Sequence, residues 1–81
     1  MVREVKDVFE REDMEGFKYI FRTVKGKSIF KIEIRRDEKQ GVQVGTLFEY
    51  ACGKFNCLIK LCNTSKQELV DLALKIQRGG G

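Results

Sequence analysis

The sequence predicts an α+β protein in which a four-stranded antiparallel meander packs against one C-terminal helix. Two observations carry this prediction. Apolar and polar residues alternate in runs between residues 17 and 62, separated by turn signals, which is the period of half-buried strands. From residue 65 onward the apolar period becomes helical. The length of 81 residues allows one small domain, 1–81, in which we expect residues 79–81 to form a flexible tail.

Residues 2–11 precede the meander and fit two structures. Val2, Val5, Val8 and Phe9 follow helical spacing with charged residues between them, so a short amphipathic N-terminal helix is the first choice. A strand is the alternative, because valine is β-branched and favours extended backbone.

A hairpin formed by residues 17–24 and 28–36 is the clearest local signal. The turn sequence Lys25-Gly26-Lys27 separates two alternating runs. A two-residue loop would place all the aromatic and apolar partners on one face, as a true register should. The predicted pairs are Phe21 with Phe30, Tyr19 with Ile32, and Phe17 with Ile34.

Two further strands are predicted over residues 42–50 and 55–62. Gly45 interrupts the first alternation, which indicates a bulge or a bend. Leu58 and Cys62 make the second face of the last strand partly apolar, which favours a central position in the sheet.

The last element is a helix that begins with a capping box. Ser65 and Glu68 form the S-x-x-E pattern, and Gly79 is a plausible helix stop. The apolar stripe is broader than one sheet face requires. Deep packing of the helix against a curved sheet is the first explanation of this surplus, and a dimer or partner interface is the alternative. The interface residues predicted are Leu69, Val70, Ala73 and Leu74.

The positive charge is concentrated in one segment. The chain carries a net charge of +4, but residues 17–36 contain seven basic residues and one acidic residue. A basic patch of this kind attracts polyanions such as nucleic acid, whereas the alternative is an ordinary solvated face. In the predicted hairpin register, the face opposite the aromatic residues collects Lys18, Arg22, Lys31 and Arg35.

Histidine, tryptophan and proline are absent from the chain, which excludes a Ser-His-Asp triad and any histidine-based zinc site. The three cysteines follow C-x4-C-x4-C spacing, which does not fit zinc. We expect Cys57 and Cys62 to be buried and reduced, and Cys52 to be exposed. We therefore predict no catalytic activity, no metal and no small-molecule cofactor. A small basic nuclease using Tyr19, Arg22 and Arg35 is a third and weaker interpretation.

Two segments resemble a known family. The runs FKYIFRTVKGKSIFKIEIRR, residues 17–36, and LIKLCNTSKQELVDLALKIQ, residues 58–77, look like the positive-cofactor-four family of single-strand-binding transcriptional coactivators. The resemblance implies four strands followed by a helix, pairing of two chains through their helices, and binding of single-stranded DNA on a curved sheet. By position, it implies phosphate contacts at Lys25, Lys27, Lys31 and Arg35. The longer stretch over residues 37–56 and the extra N-terminal segment depart from the family pattern.

We therefore expect a homodimer that binds single-stranded DNA or RNA through a basic sheet face, with little sequence preference. Cations would neutralise phosphates, and aromatic rings would stack on bases. The predicted binding residues are Lys18, Arg22, Lys25, Lys27, Lys31, Arg35, Phe48 and Tyr50.

The alternative function is a protein–protein adaptor, or an accessory factor such as a viral one, that uses the apolar face of the C-terminal helix. The charged first ten residues contain no signal segment, and no apolar run approaches the roughly 20 residues of a transmembrane helix. We therefore expect a cytoplasmic protein without membrane contact. The high Lys, Glu and Arg content is typical of thermophilic proteins.

Overall fold

A computed structural model describes residues 4–79, which form one antiparallel sheet with a helix on one of its faces. The elements are β1 Val5–Asp13, β2 Gly16–Thr23, β3 Ile29–Asp37, β4 Val42–Ala51, β5 Lys54–Cys62 and α1 Lys66–Gly79. The strands follow one another in the sheet in chain order, so the fold is a meander. The α+β class is confirmed, but the sheet has five strands rather than four.

The additional strand is β1, so the N-terminal helix predicted over residues 2–11 is wrong within the described part of that segment. β1 pairs with β2 along its length, with a bulge between Asp7 and Phe9. As a helix, this segment would leave the edge of β2 unpaired. The spacing of Val5, Val8 and Phe9 looks helical because the bulge shifts the alternation by one residue. Val2 and the tail residues 80–81 lie outside the described residues.

The register predicted for the β2–β3 hairpin is confirmed. Phe21 pairs with Phe30, and the pairs Tyr19–Ile32 and Phe17–Ile34 follow in the same register. The loop is longer than two residues. The hydrogen bond that closes it runs from the Thr23 backbone amide to the Ser28 carbonyl oxygen at 2.8 Å, so the loop comprises residues 24–27.

The helix α1 covers one face of the sheet, and the core lies between them. Aromatic and aliphatic residues from β2, β3 and β4 meet the apolar stripe of α1. The largest fully enclosed apolar side chains of the core are Phe21, Phe30, Ile32, Leu47 and Leu69. Phe21 and Phe30 stack with their ring centres 5.6 Å apart. Within residues 4–79, no helix combines the length and the apolar character needed to cross a membrane.

The start of α1 is capped as the sequence predicts. The backbone amide of Glu68 donates to Ser65 Oγ at 3.3 Å. The Glu68 carboxylate accepts a hydrogen bond from Thr64 Oγ1 at 3.2 Å, so it engages the residue before the cap rather than the Ser65 backbone amide of a complete capping box.

The helix packs close to the sheet at Gly45, where the sequence predicted a bulge or a bend. Gly45 pairs regularly with Ile34 and with Leu61, so there is no bulge at this position. A Cβ atom placed on Gly45 would overlap Thr64 and would lie 2.7 Å from Leu69 Cδ1. The missing side chain is what allows α1 to approach the strand.

We expect Gly45→Ala to lower the free energy of unfolding by about 1–3 kcal/mol, the usual effect of overpacking. Guanidinium denaturation monitored by circular dichroism measures this change. The sign of the change in unfolding free energy is informative. An alanine that met no steric conflict would instead stabilise the protein by about 0.4–1 kcal/mol, because it reduces the conformational entropy of the unfolded chain. An unchanged or raised denaturation midpoint would contradict the close packing at Gly45.

The strand β5 is an edge strand, so the prediction that it is central is wrong. Its outer edge pairs with no other strand within residues 4–79. A bulge at Leu58, opposite the step from Leu47 to Phe48, interrupts its pairing with β4. Leu58 is 40 % exposed, so the apolar character of this strand does not come from burial on both faces.

Candidate functional site

The face of the sheet opposite α1, which we call the open face, carries most of the charge of the strands. Successive residues of a strand point to opposite faces, and the strand pairing identifies which side chains share the open face. Every strand except β4 contributes at least one cation. The cations of the open face are Lys6, Arg11, Lys18, Arg22, Lys31, Arg35 and Lys60.

Acidic side chains on the open face are few, and each has a local partner. Glu33 lies within the face and pairs with two of its cations. Asp13 and Asp37 lie at the edge, where each carboxylate accepts hydrogen bonds from backbone amides of the following turn. Asp13 also pairs with Arg11 at 2.8 Å. Positive charge therefore dominates the open face.

Lys31 is held at the centre of this face. Its ammonium group lies 3.0 Å from the Glu33 carboxylate and 4.4 Å from the centre of the Phe48 ring. The Phe55 ring is 4.7 Å away, and only 17 % of the Lys31 side chain is exposed. Such cation–π contacts fix the ammonium in place. Lys31 contributes charge to the face, but its position is determined by its protein partners.

Other cations remain available to a ligand. Lys18, Arg22 and Lys60 are exposed, and none of them forms an ion pair with another residue of the described chain. Arg35 is also exposed, and its contact with Glu33 is long at 3.9 Å. An exposed pair of this kind is weak, so Arg35 can exchange Glu33 for a phosphate.

Aromatic rings lie at two sides of the open face. Tyr50 is 47 % exposed, and its ring meets the Phe55 ring edge to face at a centre distance of 5.2 Å. Phe48 lies beside them and is half-buried. Phe9 occupies the opposite side, on β1, and is 45 % exposed. Exposed rings are what a sheet needs to stack on unpaired bases.

The structure brings most of the predicted binding residues together on this one face. The six that share it are Lys18, Arg22, Lys31, Arg35, Phe48 and Tyr50. Lys25 and Lys27 do not join them, because their loop leans toward the helix. Gly26 of this loop lies so close to the Gln77 side chain of α1 that a Cβ atom would overlap it.

Five residues of the open face were not predicted from the sequence. Two β-bulges account for the two aromatic ones among them, because each bulge changes the face to which a ring points. Without the bulge between Asp7 and Phe9, the Phe9 ring would point to the helix side. Without the bulge at Leu58, Phe55 would share the helix side with Ile59. The missed residues are Lys6, Phe9, Arg11, Phe55 and Lys60.

The residues predicted for a dimer or partner interface lie instead against the core of their own chain. Leu69, Val70 and Ala73 are buried, and Leu74 packs against the core from its edge. The broad stripe of α1 is thus used by a twisted sheet that curves around it. Of the apolar residues of α1, Ile76 is the large one that stays exposed, at 38 %. Dimer formation itself stays a prediction.

The residues proposed for nuclease chemistry do not meet. Tyr19 is buried on the helix side, where its hydroxyl donates to Asp7, whereas Arg22 and Arg35 lie on the open face. No three His, Cys, Asp or Glu side chains among residues 4–79 are grouped closely enough to hold a metal ion.

The cysteines differ from their prediction at two of three positions. Cys57 and Cys62 are exposed rather than buried, because β5 is at the edge of the sheet and both lie on the uncovered side. Cys52 is exposed as predicted, in the turn between β4 and β5. All three are free thiols.

Comparisons of the chain with protein-family models, with curated proteins and with solved structures found no match. The resemblance to the positive-cofactor-four family therefore rests on the sequence pattern alone, and the extra N-terminal segment that departs from that pattern forms the fifth strand, β1.

Proposed function

We propose that this protein binds single-stranded nucleic acid on the open face of its sheet, with little sequence preference. The observation that supports the proposal most directly is the combination of seven cations with exposed aromatic rings on one uncovered surface. Cations that follow a backbone and rings that stack on bases are the two components of single-strand binding sites.

Single strands fit this surface better than duplexes. Tyr50 and Phe9 expose ring faces that can stack only on bases that are free of a double helix. The open face also lacks a projecting helix or ribbon that would enter a major groove, since α1 covers the other face. Stacking tolerates every base, which accounts for the low sequence preference.

The adaptor function depended on a surface of α1 that the chain's own sheet covers. It required the apolar stripe of α1 to be available to a partner, whereas Leu69, Val70 and Ala73 are enclosed by the chain's own sheet. No other described apolar surface favours it over nucleic-acid binding, because the exposed rings of the open face lie among cations.

Fluorescence anisotropy with labelled single-stranded and double-stranded oligonucleotides tests the proposal. We expect micromolar or tighter binding of single strands, weaker binding of duplexes, and a steep loss of affinity with salt. Four phosphate contacts correspond to a slope of log affinity against log salt of about −3 for a single strand. Absence of binding at low salt, or tighter binding of duplexes, would overturn the proposal.

A further inference from the structure

The strand pairing arranges the open face in rows that cross the sheet. Phe9 pairs with Ile20, Ile20 with Lys31, Lys31 with Phe48, and Phe48 with Cys57. These five residues, one from each strand, form what we call the central row. The row begins and ends near aromatic rings and contains one cation, Lys31.

A second row runs beside the central row. Arg11 pairs with Lys18, Lys18 with Glu33, Glu33 with Thr46, and Thr46 with Lys60. We call these five residues the basic row. Its carboxylate, Glu33, is neutralised by Lys31 and Arg35. Arg11 pairs with Asp13 at 2.8 Å, so the net charge of the basic row is carried by Lys18 on β2 and Lys60 on β5.

The two rows have the chemistry of the two sides of a nucleic-acid strand. Bases are flat and apolar on their faces, which matches the exposed Phe9 ring at one end of the central row and the exposed Tyr50 ring in the row beside its other end. Phosphates are anionic and lie along one side of the strand, which matches the basic row. A path parallel to the β-strands would meet rings at one side of the sheet only.

The following inference rests on the proposed function. We propose that the nucleic acid crosses the β-strands, with its bases along the central row and its phosphates along the basic row. Phe9 is then a second stacking residue, separated from the first stacking group, Tyr50 and Phe55, by the width of the sheet. Ile20 offers an apolar surface to the bases between them, and Lys18 and Lys60 contact phosphates.

The dimensions define the length of the bound segment. Five strands at about 4.8 Å spacing separate the two sides of the sheet by roughly 19 Å. At the 3.4 Å spacing of stacked bases, this distance corresponds to about six nucleotides, and to fewer if the strand is extended. Affinity is therefore expected to rise with oligonucleotide length up to about six nucleotides, and more slowly beyond.

Photocrosslinking of the full chain tests the path. Six-nucleotide oligothymidylates carrying 4-thiothymidine at the first or at the last position are irradiated with the protein and digested with trypsin. We expect one end to crosslink to the peptide of residues 7–11, which contains Phe9. The other end is expected to crosslink to the peptide of residues 55–60, which contains Phe55. Crosslinks of both ends to the same peptide would overturn the path.

Variants of Phe9 give an independent test in the same binding assay. Phe9→Ala is expected to weaken binding of a six-nucleotide or longer strand by about 5- to 100-fold, as for the loss of one stacked base. Phe9→Leu keeps the apolar bulk and is expected to weaken binding similarly, because it lacks the ring. Met14→Ala, which shortens an exposed apolar side chain in the β1–β2 turn, is the control and is expected to leave affinity unchanged.

The outcomes separate the path from the function. If the wild-type protein binds a 20-nucleotide oligothymidylate and Phe9→Ala binds it with the same affinity, the path is rejected and the proposed function stands. Failure of the wild-type protein to bind that oligonucleotide would reject both. A protein that binds no oligonucleotide but changes from dimer to monomer on Phe9→Ala substitution would show that a second copy covers the open face, and this also rejects both.

Discussion

Reversing the charges of Lys18 and Arg22 together will weaken binding of single-stranded oligonucleotides by at least about tenfold at low salt. Both residues are exposed on β2 and face the open side of the sheet, with Ile20 between them on the same face. Each lost phosphate contact lowers the magnitude of the salt slope by about 0.7 for a single strand. The double variant should lose about 0.7 through Lys18 if the phosphates follow the basic row, and about 1.4 if Arg22, on the other side of the central row, also contacts a phosphate. The introduced carboxylates repel the backbone in addition.

These two cations test the site more directly than Lys31 and Arg35, which the sequence also singles out. Lys31 is enclosed by Glu33 and two rings, so a Lys31→Glu change would place two carboxylates side by side. Lost binding in such a variant could then reflect lost structure. Lys18 and Arg22 are exposed and have no ion-pair partner among residues 4–79, so charge reversal there costs less folding stability than at the enclosed Lys31, even though Lys18 lies opposite Glu33.

The matched control is Lys39→Glu with Lys75→Glu. This double variant changes the net charge by the same amount, but Lys39 lies in the β3–β4 turn and Lys75 on α1. If binding depends on the open face, the control should keep nearly all affinity and most of the salt slope. Equal losses in both double variants would mean that net charge, and not this surface, attracts the nucleic acid.

Phe30→Ala will lower the free energy of unfolding far more than Phe48→Ala. Phe30 is fully buried between the sheet and α1, and its ring stacks on Phe21. Phenylalanine-to-alanine changes in a core cost about 3–5 kcal/mol. A small domain has a total stability near the lower end of the usual range of about 5–15 kcal/mol, so Phe30→Ala removes most of it.

Phe48 is a matched control, because it is the same residue type on the opposite face of the same sheet. It is half-buried and contacts the Lys31 ammonium. We expect Phe48→Ala to cost no more than about 2 kcal/mol, from partial burial and one cation–π contact. We also expect it to weaken nucleic-acid binding, whereas Phe30→Leu, a milder change in the core, should leave binding intact in the folded protein.

Urea denaturation followed by circular dichroism measures both stabilities. If Phe30→Ala does not fold at all, Phe30→Leu still provides a graded value for the core position. Equal destabilisation by Phe30→Ala and Phe48→Ala would mean that both faces of the sheet are covered. That result would remove the open face on which the proposed function depends.

Local sequence determined the features that depend on near neighbours along the chain. The alternation on either side of Lys25-Gly26-Lys27 predicted the register of the hairpin, because a slip of one residue would expose Phe21 and Phe30. The capping box at Ser65 predicted the start of α1, since the interaction spans only three residues. Four cations of the open face followed from the same hairpin register.

Tertiary structure decided the features that depend on contacts between different elements of the fold. Residues 5–13 have spacing that suits a helix or a strand, and the free edge of β2 selected the strand. The helix residues Leu69 and Val70 could face a partner or a sheet, and the approach of α1 to Gly45 placed them in the core. In each case the deciding contact lies outside the segment itself, on β2 for β1 and on β4 for α1.

The position of the aromatic rings is the clearest example of this division. Phe9 and Phe55 have the sequence parity of helix-side residues, yet both lie on the open face. A one-residue bulge in each edge strand reverses the faces beyond it. A bulge costs one unpaired residue and leaves no distinct local pattern. The sequence therefore predicts only the four hairpin cations of the open face, and the paired sheet determines the other three and places the rings of Phe9 and Phe55 among them.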